Sequence, residues 1–254
     1  MFEKFGQKII SIMEEIGEVS KLTGRTFYSI IKGRFDPRDV LTQLVRIGVD
    51  SIWVAIVAAA FVVGVFAIQI ASEFVKFGAG NIVGGIIGVA VARELAPTLI
   101  AVVLAGRVGA AIAAELGTMS VTEQIDALYA MGSDPVKHFV VPRFLACTIM
   151  LPVLTIFAIL VGFSGGYFVA VHLVGINPNG FMDSASYYTA TSDITGGIIK
   201  AIFFGMIIAI VGCFRGLHAK GGAKGVGEAT TSSVVTALMS IYIVNYFLST
   251  LLFK

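Results

Sequence analysis

A chain of 254 residues that is 57% hydrophobic and 13% charged, with a mean hydropathy of +0.92, lies far outside the composition of water-soluble domains. Its 18 Lys and Arg nearly balance its 16 Asp and Glu, so an integral membrane protein is expected and no nucleic-acid partner. The two cysteines, Cys147 and Cys213, fall in apolar stretches and read as small buried hydrophobes, which leaves no disulfide or metal framework.

Charges run throughout Met1–Val49, so no cleavable signal peptide is expected. In the first 33 residues Phe2, Phe5, Ile9, Ile12, Met13 and Ile16 recur at spacings of three and four between Lys4, Lys8, Glu14 and Glu15. That pattern predicts a helix lying on the membrane surface. A second piece, "DPRDVLTQLVRIGVD", has Pro37 near its start and Val40, Leu41, Leu44 and Val45 on one face. Residues 1–49 therefore read as an N-terminal amphipathic, interfacial region; the alternative, a soluble helical hairpin, has little core of its own.

Residues 50–254 read as the membrane domain. A spanning helix needs about 20 mostly apolar residues. Five windows meet that length, near Ile52–Ala71, Ile82–Ala105, Phe144–Val174, Ile198–Phe214 and Val234–Phe253. Span two is interrupted: Arg93 and Glu94 sit side by side midway along it, with Pro97 close behind. A lone charge at that depth costs several kcal/mol, so both must face a cavity or a partner, and adjacent positions on a helix point too far apart to satisfy one another. Pro97 has no amide hydrogen for the carbonyl of Arg93, which predicts a spare acceptor and a kink there.

Between spans two and three runs "AAELGTMSVTEQIDALYAMGSDPVKHFVVPRF". Ser120 and Glu123 have the spacing of a capping box, Gly132 offers a C-terminal cap, and Pro135 prevents continuation. The expectation is a short helix within about 120–132, apolar at Val121, Ile125, Leu128 and Met131, polar at Glu123, Gln124 and Asp126. Small-residue stretches, "GGIIG" at Gly84–Gly88 and "GFSGG" at Gly162–Gly166, mark places where helices approach closely. The polar stretch "INPNGFMDSASYYTATSD" is taken as an outward connection, and "KGGAKGVGEA" as a flexible cytoplasmic one. Lys200, near the outward end of span four, either joins Arg93 or snorkels to the outer headgroups.

Eight of the Lys and Arg precede span one, while Phe144–Ile199 holds none. Since cytoplasmic loops retain positive charge, the N-terminus is expected inside and the C-terminus outside. The histidines His138, His172 and His218 lack the spacing of a metal pair, and no clustered acid, base or nucleophile marks a catalytic site. The fold class is thus all-α integral membrane, with an interfacial N-terminal region, five transmembrane helices and a cytoplasmic helix between spans two and three.

The order Asp126-Ala127-Leu128, three residues, Gly132, nine residues, Pro142 resembles the coupling loop of ABC importer permeases. More closely, "RELAPTLIAVVLAGRVGAAIAAELGTMSVTEQIDALYAMGSDPVKHFVVPRF" is similar to the MlaE/YrbE family of lipid-transport permeases, a resemblance that runs from the surface helix to the last span. It implies a bacterial inner-membrane permease moving phospholipids to or from an MCE-domain envelope carrier, working as a homodimer with two ATPase subunits. ATP and Mg would be held by those subunits, since this chain has no GxxxxGK[ST] stretch and is not itself expected to be an enzyme. For such a cargo Arg93, Glu94 and Lys200 are the candidate substrate-site residues: Arg93 would grip phosphate in a forked geometry, the alternative being a structural pair with another helix, while Glu94 is expected to fix helix contacts rather than bind an anionic lipid. The resemblance further implies ATPase coupling through Glu115, Glu123, Gln124, Asp126, Leu128 and Gly132. Two readings from other classes are an ion-coupled secondary transporter, which calls for inverted repeats and several intramembrane acids, and a membrane enzyme acting on lipids, which needs a clustered reactive set.

Overall fold

The computed structural model describes residues 2–33 and 35–254 and, within the first helix, leaves the side chains at 2–6, 8, 9, 11 and 12 outside the description. The apolar positions expected at Phe2, Phe5, Ile9 and Ile12 therefore lie outside the described residues. Helix accounts for nearly all the described residues, and no strand occurs among them.

α1 (Phe2–Ile31) is one helix of 30 residues, about 45 Å long at 1.5 Å per residue. α2 (Pro37–Gly48) starts where Asp36 accepts the amide of Arg38 at 2.9 Å, with Pro37 in the first turn, where its missing amide costs nothing. A single 3-10 turn, Val49–Ser51, leads into α3 (Ile52–Lys76). Span two is a succession rather than one helix: α4 (Val83–Ala90), a π turn over Val91–Leu95, α5 (Ala96–Leu104), a second π turn over Ala105–Gly109, and α6 (Ala110–Val121). α7 (Gln124–Ala130) follows, then a π turn over Val136–Val140, α8 (Val141–His172), α9 (Pro178–Tyr188), α10 (Thr191–Leu217) and α11 (Gly222–Leu252). Five stretches of the described residues are long and apolar enough to cross a membrane, as the hydropathy windows predict. Of these α10 is the most enclosed and α11 the most exposed.

The chain forms two compact units, each assembled from three segments. The first comprises Met1–Leu44, Ala105–Ala146 and Met206–Ala237. Within it α1 is anchored by Arg25 to Asp134 at 3.1 Å, by Glu15 to Arg215 and by an edge-on contact of Phe27 with Phe144, their rings 5.3 Å apart. Its far side leaves Ile10, Met13 and Ile16 exposed. Residues of α10 and α11 close on the second π turn: a Cβ at Gly212 would lie 3.2 Å from the carbonyl oxygen of Gly109, which also accepts from Ser233 at 3.3 Å.

The second unit comprises Val45–Leu104, Cys147–Gly205 and Leu238–Lys254. Here "GGIIG" serves close packing within the chain, because a Cβ at Gly84 would overlap the carbonyl of Phe181 and one at Gly85 would come 2.7 Å from the Tyr188 ring. "GFSGG" does the same: a Cβ at Gly162 would lie 2.9 Å from Val63, and one at Gly166 3.1 Å from Ile87.

Two connections differ from expectation. The polar stretch after span three folds into α9, capped by Asn177, which accepts from the amides of Asn179 and Gly180, and started by Pro178. Its Phe181 is buried against Phe163 and Tyr167, which explains why a stretch rich in Ser, Asn and Asp is ordered. "KGGAKGVGEA" is not a flexible loop either. α11 begins at Gly222, so span five starts a dozen residues before Val234 and the turn is confined to a few residues around Gly221.

Candidate functional site

Two groups of polar residues stand out, one in each unit, and the first is built around the π turn Val91–Leu95. Its closing bond, Ala96 N–H to Val91 C=O, skips one residue more than an α-helical bond. Such a wide turn tolerates Pro97 and leaves the Arg93 carbonyl open to a donor from outside. Lys200 supplies that donor: its Nζ gives hydrogen bonds to the Arg93 carbonyl at 2.9 Å, to Glu94 Oε1 at 2.6 Å and to Ser249 Oγ at 2.7 Å. Snorkelling is ruled out for Lys200, whose side chain is fully buried. The other carboxylate oxygen, Glu94 Oε2, accepts from Asn245 Nδ2 at 3.0 Å.

Arg93 turns to a different partner. Its Nε and Nη2 both reach Asp193 Oδ1, at 2.9 and 2.8 Å, while Asp193 Oδ2 accepts the amide of Ala190 at 2.9 Å. Across both cations lies Phe253, its ring centroid 4.7 Å from the Arg93 guanidinium carbon and 5.0 Å from Lys200 Nζ, close enough for cation–π attraction. The start of α10 can come this near because it is glycine: a Cβ at Gly197 would overlap the Ala92 carbonyl, and one at Gly196 would meet the Phe253 ring.

Arg93, Glu94 and Lys200 are thus brought together, each satisfied, as the depth of the charges in span two requires. The sequence reading missed Asp193, Asn245, Ser249 and Phe253. A signal existed for most of them. Asp193 and Lys200 are seven apart, two turns on one helix face, and Asn245 and Ser249 are four apart in an otherwise apolar span. Chemically the cluster presents a partly exposed guanidinium and a partly exposed carboxylate, each backed by a buried counter-charge.

The second group lies in the loop between α6 and α8. The capping box expected at Ser120 is absent, because α6 runs on through Val121 and the Ser120 hydroxyl faces the carbonyls of Leu217 and Ala219, at 3.2 and 3.3 Å. The break falls instead at Glu123, whose φ of 60° places it in the left-handed region, and only the seven residues Gln124–Ala130 form α7. Gly132, at φ 76°, closes the other end: its amide bonds Tyr129 C=O and the amide of Ser133 bonds Leu128 C=O, both at 2.9–3.0 Å, a Schellman arrangement.

Ile125 is buried, as its spacing predicts, and Leu128 is half-buried on the wall of a cavity of about 460 Å³ shared with Asp39, Glu115, Ser133 and Arg143. Met131 is a correction. It sits beyond the last turn and is exposed, so the outward surface presents Glu123, Gln124, Asp126, Tyr129 and Met131 together. Glu115 pairs with the buried Arg143 at 3.1 Å and so ties α6 to α8.

Comparison with known proteins gives one consistent result. The family model Permease MlaE matches residues 40–251. A probable ABC transporter permease protein of Synechocystis sp. is 49% identical over 92% of this chain and 89% of its own length. Its counterpart in Rickettsia typhi is 38% identical over 98% of this chain and 96% of its own. The Arabidopsis thaliana protein TRIGALACTOSYLDIACYLGLYCEROL 1, chloroplastic, is 40% identical over 92% of this chain and 67% of its own.

Proposed function

Because the chain belongs to the Permease MlaE family of ABC transporter permeases, a multi-pass membrane subunit, we propose that it carries phospholipids, driven by ATP that separate subunits hydrolyse. Membership sets aside the ion-coupled and lipid-modifying readings. The finer parts are proposals: a homodimer in the inner membrane, two ATPase subunits holding ATP and Mg, an MCE-domain carrier on the far side, and an N-terminus in the cytoplasm with the C-terminus in the periplasm. Arg and Lys placement supports that orientation.

The observation that carries the lipid reading is Arg93, a guanidinium within span two that is held by Asp193 yet still about a third exposed. Charge of this kind at membrane depth is costly and marks a functional site, and a guanidinium offers phosphate a forked set of donors. One relative is named for trigalactosyldiacylglycerol, a glycerolipid, which agrees in class with a lipid cargo. α7 is the element proposed to dock on the ATPase. Glu123, Gln124 and Asp126 would face basic groups there, with Tyr129 and Met131 as apolar neighbours, while Leu128, Gly132 and Glu115 act from behind by fixing α7 and its flanking helices.

The test is reconstitution of the full chain with its co-purifying subunits in vesicles carrying a fluorescent phospholipid. ATP-dependent movement of the label is expected, and Arg93→Lys should slow it at unchanged protein abundance, since an ammonium cannot reproduce the fork. Movement that ignores ATP, or that Arg93→Lys leaves at the parental rate, overturns this reading.

A further inference from the structure

We propose that the cluster around Arg93 selects zwitterionic phospholipids, those whose headgroup carries both a phosphate and an ammonium, over phospholipids of net negative charge. This deepens the lipid reading and rests on it. Two features of the geometry carry the inference. The first is charge balance: two cations, Arg93 and Lys200, are matched by two anions, Asp193 and Glu94, so the cluster as a whole is neutral. A net anionic headgroup entering it would find no surplus positive charge to offset its own loss of water.

The second feature is which member of each pair is open. In the Arg93–Asp193 pair the cation is the accessible one, 36% exposed against 1%. In the Glu94–Lys200 pair the order reverses, and the anion is 42% exposed against 0% for its lysine. Successive residues of one turn therefore present a guanidinium and a carboxylate, each held in place from behind by a buried counter-charge. A zwitterionic headgroup has the complementary pair, with its phosphate toward Arg93 and its ammonium toward Glu94. Asn245 adds to the second half: its Nδ2 is committed to Glu94, leaving Oδ1 an enclosed acceptor with no donor among the described residues. A donor-bearing primary ammonium suits that side better than a fully methylated one, which has no hydrogen to give.

The experiment is competitive retention. The full chain in detergent is equilibrated with vesicles of equal parts phosphatidylethanolamine and phosphatidylglycerol, re-purified, and its lipids counted by mass spectrometry. The parent is expected to keep the ethanolamine lipid in at least several-fold excess. Glu94→Gln leaves the cluster one positive charge in surplus and should turn the ratio toward the glycerol lipid. Glu94→Gln with Lys200→Met restores neutrality without the open carboxylate, so its ratio should fall to near one. That double variant leaves no buried lysine unpaired and keeps the comparison readable should the single variant fold poorly. Equal or preferential retention of phosphatidylglycerol by the parent overturns the proposal, as does a ratio that neither variant moves. Failure of the underlying lipid reading looks different: no lipid phosphorus is retained above a detergent-washed control, and both ideas fall together.

Discussion

The cluster around Arg93 and the loop around α7 both use opposite charges, but they use them under opposite conditions. Around Arg93 one member of each pair is almost fully enclosed, and the opposite charges meet at 2.6–2.9 Å. Near α7 the pair Arg25–Asp134 is spaced at 3.1 Å with both side chains partly in solvent. Water makes the second pair weak and replaceable; its exclusion makes the first costly to break. The difference teaches where this chain concentrates its specificity: the enclosed charges around Arg93 fix one arrangement, whereas the solvated pair near α7 can exchange its partner for water.

The sharpest way to break that contrast is to remove one charge from the enclosed pair. Glu94→Leu strands Lys200 beside the Arg93 carbonyl, Ser249 and the Phe253 ring, with no counter-charge, and should destabilise the protein by about 3–5 kcal/mol, the usual cost of an uncompensated buried charge. Adding Lys200→Met should recover most of that loss, because two apolar side chains replace both charges. Thermal unfolding in detergent followed by tryptophan fluorescence measures both. A double variant no more stable than the single one would mean that geometry, not charge, holds the site.

Close packing of backbone around the same cluster is the next largest effect. Gly197→Ala would press a methyl group into the Ala92 carbonyl, and such overpacking costs about 1–3 kcal/mol while shifting α10 away from the π turn. The same scan should show that loss. If Gly197→Ala unfolds at the parental temperature, α10 stands further from Ala92 than the structure has it.

These residues also show how far the sequence could be read. Five spans followed from hydropathy because lipid leaves a helix no alternative that satisfies its backbone. Arg93, Glu94 and Lys200 stood out because a charge is conspicuous in an apolar run. Their partners did not, since Asn245 and Ser249 are polar without being charged and Asp193 sits in a stretch taken for an outward loop. The break near α7 was misplaced for a local reason. Ser120 and Glu123 have capping-box spacing, but Ser120 is used by the carbonyls of Leu217 and Ala219, which are distant in sequence and invisible to a local pattern. α9 was missed because its only strong apolar anchor is Phe181, while its start signal, Asn177-Pro178, reads equally well as a turn.

On the solvent side the expected losses are small. Asp134→Asn removes the charge partner of Arg25 and should cost under about 1 kcal/mol, less at high salt. Unfolding scans at low and high salt check this. A loss of several kcal/mol that salt leaves unchanged would show the pair to be as enclosed as the one at Glu94, and the contrast between the regions would disappear.

The smallest expected effect carries the opposite sign. Glu123 is the one non-glycine described residue with positive φ, a conformation that crowds its Cβ against the backbone and costs about 1–2 kcal/mol. Glycine removes that crowding but gives the unfolded chain about 0.5–1 kcal/mol more entropy to lose, so Glu123→Gly should stabilise the protein by a few tenths of a kcal/mol. The proposed docking of α7 on the ATPase would give the exposed, strained Glu123 a use outside this chain. Glu123→Gly should then raise the unfolding temperature slightly while weakening capture of the ATPase subunit, and Glu123→Lys should weaken capture further without the gain in stability. Pull-down of the ATPase and the unfolding scan together separate the two contributions. Should Glu123→Gly stabilise the chain and capture ATPase at the parental level, the strain at residue 123 serves only to turn α6 into α7.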